Sequence, residues 1–101
     1  MNLRVQSVNF TADQSLINFI QDKLDKLGHF HSQIIDGEVF LKVDNNHSKQ
    51  NKITEVKLLI PGHELVVKKQ ARSFEQATDQ TAEVLKRQLR KHKEKLRAMA
   101  S

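Results

Sequence analysis

Seven of the thirteen residues in LKRQLRKHKEKLR, residues 85–97, are Lys or Arg, against the single acid Glu94. Ammonium and guanidinium groups hold anionic oxygens, and phosphates above all, because each phosphate neutralised releases condensed counterions. Leucine recurs at Leu85, Leu89 and Leu96. On a helix these mark one buried stripe, and the charges leave it in two rows. Lys86, Arg90, Lys93 and Arg97 form one; Arg87, Lys91 and Lys95 form the other. Like charges at i,i+4 spacing cost a helix roughly 0.2–0.5 kcal/mol per pair, and only Glu83 and Glu94 stand close by to offset them. Complementing the helix macrodipole would explain the last turn alone. Three turns of repulsion fit a face that binds an anion. Lys68, Lys69 and Arg72, just upstream, are placed to extend it.

No other constellation carries chemistry. The chain has no cysteine, which removes disulfides, thiolate nucleophiles and Cys-ligated metals. His29 and His31 form an H-x-H pair, but His47, His63 and His92 have no spacing that completes a zinc site. Asp22 and Asp25 beside Lys23 and Lys26 have the pattern of ordinary surface ion pairs. No glycine-rich phosphate loop, nucleophile elbow or H-E-x-x-H is present. The expectation is a non-enzyme without catalytic residues, metal, cofactor or small-molecule substrate. Helix-turn-helix and zinc-finger signatures are also missing. With five Phe and no Trp or Tyr there is no aromatic single-strand platform, and Phe40 fits a second packing contact better than a base stack. Charge alone does not separate DNA from RNA. The pattern suits a reader of phosphate backbone and shape, as structured RNA presents.

The elements that must position these residues are legible from periodicity. Residues 2–8 alternate Leu3 and Val5 with polar neighbours, as a strand does. Thr11 and Gln14 have capping-box spacing, and Leu16, Ile17, Ile20, Leu24 and Leu27 follow at helical steps up to Gly28, placing an amphipathic helix over residues 12–27 with Gly28 as its left-handed stop. Residues 37–44 put Val39, Leu41 and Val43 on one strand face, and residues 45–51 are polar enough for a loop. Residues 52–70 alternate Val56, Leu58 and Ile60 and reverse at Pro61-Gly62, a hairpin. Ser73 and Gln76 open a second capping box, and Phe74, Ala77, Thr81, Val84 or Leu85, Leu89 and Leu96 carry a helix over residues 73–97. The order β-α-β-β-β-α predicts an α+β fold, a four-stranded sheet with two helices on one face.

At 101 residues, 38% apolar and 29% charged, the chain has room for one domain with a modest core. Its net charge of +5 is uneven: residues 1–64 hold seven basic and eight acidic side chains, residues 65–101 ten and four. No signal-peptide pattern opens the sequence and its longest apolar run is LLI, residues 58–60, so the expected address is cytoplasmic, away from any membrane.

With that element order and the stretch KRQLRKHKEKL in view, the chain resembles the bacterial ribosome hibernation promoting factor and ribosome-associated translation inhibitor family, also called sigma-54 modulation proteins. DKLDKLGHF, residues 22–30, looks like the family's D-K-L-x-K-L-x-x-aromatic segment; VFLKV, residues 39–43, like its second strand; and FEQATDQTAEVLKRQLRKHKEKL, residues 74–96, like its last helix. The resemblance spans nearly the whole chain. It implies a fold similar to the double-stranded-RNA-binding domain, with residues 1–101 as a single ribosome-binding domain, monomeric when free. It also implies a stress or stationary-phase factor that binds small-subunit ribosomal RNA and sterically blocks the messenger and transfer RNA sites of idle ribosomes. By matching position Lys23 and Lys26 lie in the first-helix motif and Arg87 and Lys91 in the second; Lys86, Arg90, Lys93 and Lys95 join them from the basic rows. Lys68, Lys69 and Arg72 are possible additions. Ser73 stands where an acidic residue often precedes the last helix, Thr78 and Thr81 replace aliphatics, and the end at Ser101 implies a short form lacking the second domain of long members. Two other functions compete: a protein–protein regulator of a sigma factor, whose binding should survive high salt, and a non-specific nucleic-acid-binding protein that coats free duplexes as readily as ribosomes.

Overall fold

The computed structural model describes residues 2–30, 33–44 and 49–100, with the side chains of Phe30 and residues 96–100 excepted. Alternating and helical apolar periods resolve into β1 (Asn2–Ser7), α1 (Gln14–Phe30), β2 (Asp36–Val43), β3 (Lys52–Ile60), β4 (His63–Ala71) and α2 (Phe74–Ala100). The strands form one sheet in the order β1-β2-β3-β4. β1 runs parallel to β2, which α1 makes possible as the crossover, and the other neighbours are antiparallel.

Burial alternates along the strands, with β1 no more than half-buried and Ile53 also buried on the other side of β3. Val39 and Leu41 of β2, Val56, Leu58 and Ile60 of β3, and Val67 of β4 point to one side, where Ile20, Leu24 and Leu27 of α1 and Leu85 and Leu89 of α2 close over them in one cluster. Both helices therefore lie on one face, as the element order predicts. Val43, expected on the buried face, is 38% exposed. It ends β2 beyond Leu41, opposite Lys52, where the core has run out.

The hairpin reverses through Pro61 and Gly62, with Ile60 paired to His63. Pro61 has φ fixed near −65° and Gly62 takes φ 75°, the signature of a type II turn, in which the second central residue must be left-handed. At the start of α2 the Gln76 N–H donates to Ser73 Oγ at 3.0 Å, so Ser73 caps the helix, while the Gln76 side chain reaches one residue further back and accepts from the Arg72 N–H at 3.4 Å. The box expected at Thr11 does not form. Asp13 caps α1 instead: its Oδ1 accepts from the Leu16 N–H at 2.8 Å and from Ser15 Oγ at 2.9 Å. The Leu16 amide and then the Ser15 hydroxyl hold the Asp13 carboxyl below the usual carboxylate range. Asp is the stronger cap, and the later start leaves Asn9, at φ 64°, to turn Phe10 onto Phe74, ring centroids 5.2 Å apart. Gln14 is left to donate sideways to Asn18. Gly28, expected as the left-handed stop, lies inside α1, which continues to Phe30.

Between α2 and the sheet lies a polar seam. Thr54, Thr78 and Thr81 are all fully buried. Thr81 donates to the Thr78 carbonyl at 2.8 Å, while the Thr54 and Thr78 hydroxyls face each other at 3.5 Å. The aliphatic positions expected of this helix are thus occupied by hydroxyls, and Leu85, not Val84, continues the buried stripe.

Candidate nucleic-acid interface

α2 runs back along β4. Nine strand residues cover about 30 Å, so a helix leaving Ala71 reaches the far end of β4 after about five turns. The contact is made there: the rings of His63, first in β4, and His92 meet edge-on with centroids 5.5 Å apart. Beyond His92 the helix has no sheet beneath it, which accounts for the longest molecular dimension of 51 Å. Lys93 and Lys95 are exposed on this overhang.

Nearer the core the two basic rows border two grooves. Between α1 and α2, Leu27 and Ala82 floor a groove whose walls are Lys23, Lys26 and His29 from one helix and Glu83 and Lys86 from the other. Lys23 is joined to Asp79 of α2 at 3.1 Å, not to its neighbours Asp22 or Asp25; both partners are partly exposed, and such a pair contributes at most about 1 kcal/mol, so a stronger anion can exchange it. Between α2 and β4 a second groove is lined by Lys69, Asp79, Gln80, Glu83, Val84 and Arg87. Arg87, Arg90 and Lys91 are exposed and Lys86 is half-buried.

The expected set therefore divides. Lys23, Lys26 and Lys86 come together across the helices, Lys69 joins Arg87, and Arg90, Lys91, Lys93 and Lys95 continue the two rows outward. Arg97 falls among the side chains outside the description. Lys68 does not join them. Adjacent strand residues point to opposite faces, and Lys68 lies on the uncovered side of the sheet in a hollow shared with Phe40, Lys42, Ile53 and Glu55. Arg72 stands beside Gln76 at the N-terminal end of α2, about 20 Å of helix away from Lys86. Sequence reasoning passed over His29 as a groove residue and the carboxylates of Asp79 and Glu83. Their helical positions were available; that the grooves would close around them was not.

The two sides of the molecule differ in charge. On the open face of the sheet Arg4, Lys42, Lys57 and Lys68 alternate with Asp36, Glu38, Glu55 and Glu64, four against four. Arg4 bonds Asp36 at 2.9 Å and Glu38 at 2.6 Å, and the Lys57 ammonium sits 5.4 Å from the centroid of Phe40. Phe40 thus packs under a lysine, on the uncovered side. The chain's excess of positive charge therefore lies off this face. Among the described residues no group of three or more His, Cys, Asp or Glu is placed to hold a metal ion, and no helix is long and apolar enough to cross a membrane.

A family model described as Sigma 54 modulation protein / S30EA ribosomal protein matches residues 3–97. The chain belongs to this family. Among its relatives are a ribosome hibernation promoting factor of Pseudomonas putida, 29% identical over 99 residues that cover 98% of this chain and 93% of that protein. A ribosome hibernation promotion factor of Deinococcus radiodurans is 31% identical over 87 residues, covering 84% of this chain and 45% of that longer protein. Two solved structures have the same fold at 17% identity. The Thermus thermophilus Protein Y N-terminal domain superposes with a TM-score of 0.78, covering 91% of this chain and 99% of the domain. A ribosomal subunit interface protein from Coxiella burnetii reaches 0.81, covering 92% and 98%. The S30EA family membership and the β-α-β-β-β-α architecture thus agree with what the last helix and the strand pattern indicated.

Proposed function

We propose that this member of the family is a ribosome hibernation factor whose residues 1–101 act as one RNA-binding domain on the small ribosomal subunit. The observation that carries the proposal is the meeting of Lys23 and Lys26 of α1 with Lys86 of α2 along one groove, continued by Arg87 and Lys69 in the next. Two helices presenting ammonium and guanidinium groups on one side of a rigid sheet can follow a phosphate backbone without reading base edges. The relatives named for ribosome hibernation supply the partner.

Action is by occupancy. A body about 51 Å long, seated on ribosomal RNA, excludes messenger and transfer RNA from the volume it fills and needs no catalytic step or cofactor. The site of work is the cytoplasm and the free protein is monomeric. Each phosphate neutralised contributes to a salt-dependent affinity, so binding weakens steeply as salt rises. The test is the double charge reversal Arg87→Glu with Lys91→Glu. Both side chains are exposed, so the fold persists in circular dichroism while small-subunit binding is lost. Retained binding by the folded variant would move the interface off this helix face.

A further inference from the structure

The open face of the sheet is neutral in total but uneven in layout. Asp36, Glu38 and Glu64 gather at one end, where Arg4 is tied to the first two. Toward the other end a hollow of about 310 Å³ is floored by Val8, Phe40 and Ile53 and walled by Lys42, Lys57 and Lys68, and Glu55 is the one acid lining it. The register explains the grouping. Phe40, Glu55 and Lys68 face one another across β2, β3 and β4, while Lys42 and Lys57, two residues on from Phe40 and Glu55, flank that row on its two sides. Among the described residues no carboxylate comes within ion-pair distance of these three ammonium groups.

In sequence Phe40 has the pattern of a packing residue, yet the packing it finds is partial. Its ring is half-buried on the side that no helix covers, with the Lys57 ammonium 5.4 Å from its centroid. An aromatic ring ringed by unpaired cations suits a ligand that is itself aromatic and anionic. We infer that this hollow binds a single nucleotide, in class a purine nucleoside diphosphate, with its base stacked on Phe40 and its phosphates over Ile53 between Lys42 and Lys68. A stacked base outweighs an exposed cation–π contact, so it displaces Lys57, whose ammonium joins the charge around the phosphates. Glu55 accepts from the ribose hydroxyls.

The layout favours one nucleotide over a strand. One ring offers one stack, and the volume is at the small end for a ligand site. A backbone continuing toward one end would meet Asp36, Glu38 and Glu64. At the other end Gln70 donates to Asp44 at 3.3 Å and to the Gln50 carbonyl at 2.6 Å, which closes the hollow. Because the hollow lies across the sheet from the basic helix faces, the inference stands apart from the RNA-binding reading.

The experiment is a titration of the ¹⁵N-labelled full chain with ADP, followed by amide chemical shifts, with adenosine, pyrophosphate and single-stranded hexa-adenylate as separate probes. ADP should shift the amides of residues 40–42, 53–57 and 68, and should bind about tenfold more tightly than adenosine or pyrophosphate alone. Phe40→Leu, which keeps an apolar side chain but has no ring, and Lys68→Gln should each weaken ADP binding about tenfold. Should Phe40→Leu fail to fold, Lys68→Gln, at an exposed position, gives the same comparison. Shifts confined to α1 and α2, ADP binding no tighter than pyrophosphate, or affinity unchanged in the folded variants would overturn the site. Hexa-adenylate bound through the same amides more tightly than ADP would overturn the single nucleotide as its occupant.

Discussion

The buried pair of hydroxyls between β3 and α2 makes an asymmetric forecast. Thr54 and Thr78 are fully buried and 3.5 Å apart, long for an O–H···O bond, so the pair adds little attraction and chiefly spares each hydroxyl from isolation. In Thr78→Val the Thr54 hydroxyl stays on a strand with no partner inside the core, at a cost of about 1 kcal/mol, the low end for a stranded buried group. In Thr54→Val the Thr78 hydroxyl can turn onto a carbonyl of its own helix, as Thr81 does onto that of Thr78 at 2.8 Å, and the cost falls to a few tenths. The double variant buries two methyls in place of two hydroxyls and should return close to wild type. For a chain of this size 1 kcal/mol is about 4–8 °C in Tm. The assay is urea and thermal unfolding by far-UV circular dichroism, since the protein has no Trp or Tyr to report by fluorescence. Equal single costs that add in the double variant would refute the pairing, because a coupled pair cannot be additive.

Other substitutions test the placements separately. Lys69→Ala should lower small-subunit affinity and reduce the salt slope by about 1, whereas Lys68→Ala, on the opposite side of the sheet, should change neither; titrations at several salt concentrations read both. Gly28→Ala should stabilise by about 0.5–1 kcal/mol, because Gly28 is helical and a Cβ there meets nothing within 4 Å; a lower Tm would mean that the residue ends the helix after all. Asp13→Asn keeps a capping oxygen but loses the titration. The folded pKa of Asp13 lies below its unfolded value, so its contribution is present above the ordinary carboxylate pKa and lost as pH falls through the depressed one; the variant should show a smaller fall in Tm on acidification than wild type.

What was legible in the sequence was whatever a single element determines. Leu85 and Leu89 at helical spacing, Val56, Leu58 and Ile60 in alternation, and the Ser73 cap all depend on local periods and local hydrogen bonds, and all form. The first helix start was misplaced because Thr11 and Asp13 are both competent caps, and the choice turned on a distant contact, Phe10 against Phe74. Gly28 was misread because a glycine in the last turn and a glycine just past it have the same sequence signature. At the interface, the rows on α2 were visible since one helix carries them. The opposite facing of Lys68 and Lys69 was also visible in strand alternation, but their shared charge obscured it. The approach of Lys26 to Lys86 was not visible: it depends on how α1 crosses α2, which no local period encodes.

The most direct measurement of the central claim is sedimentation of the purified protein with ribosomes and separated subunits through sucrose at low and moderate salt, with free double-stranded RNA as competitor. Docking through the helical face predicts co-migration with the small subunit, weakened by salt and unaffected by the competitor. Protein left at the top of every gradient, or stripped from the subunit by the free duplex, would contradict it.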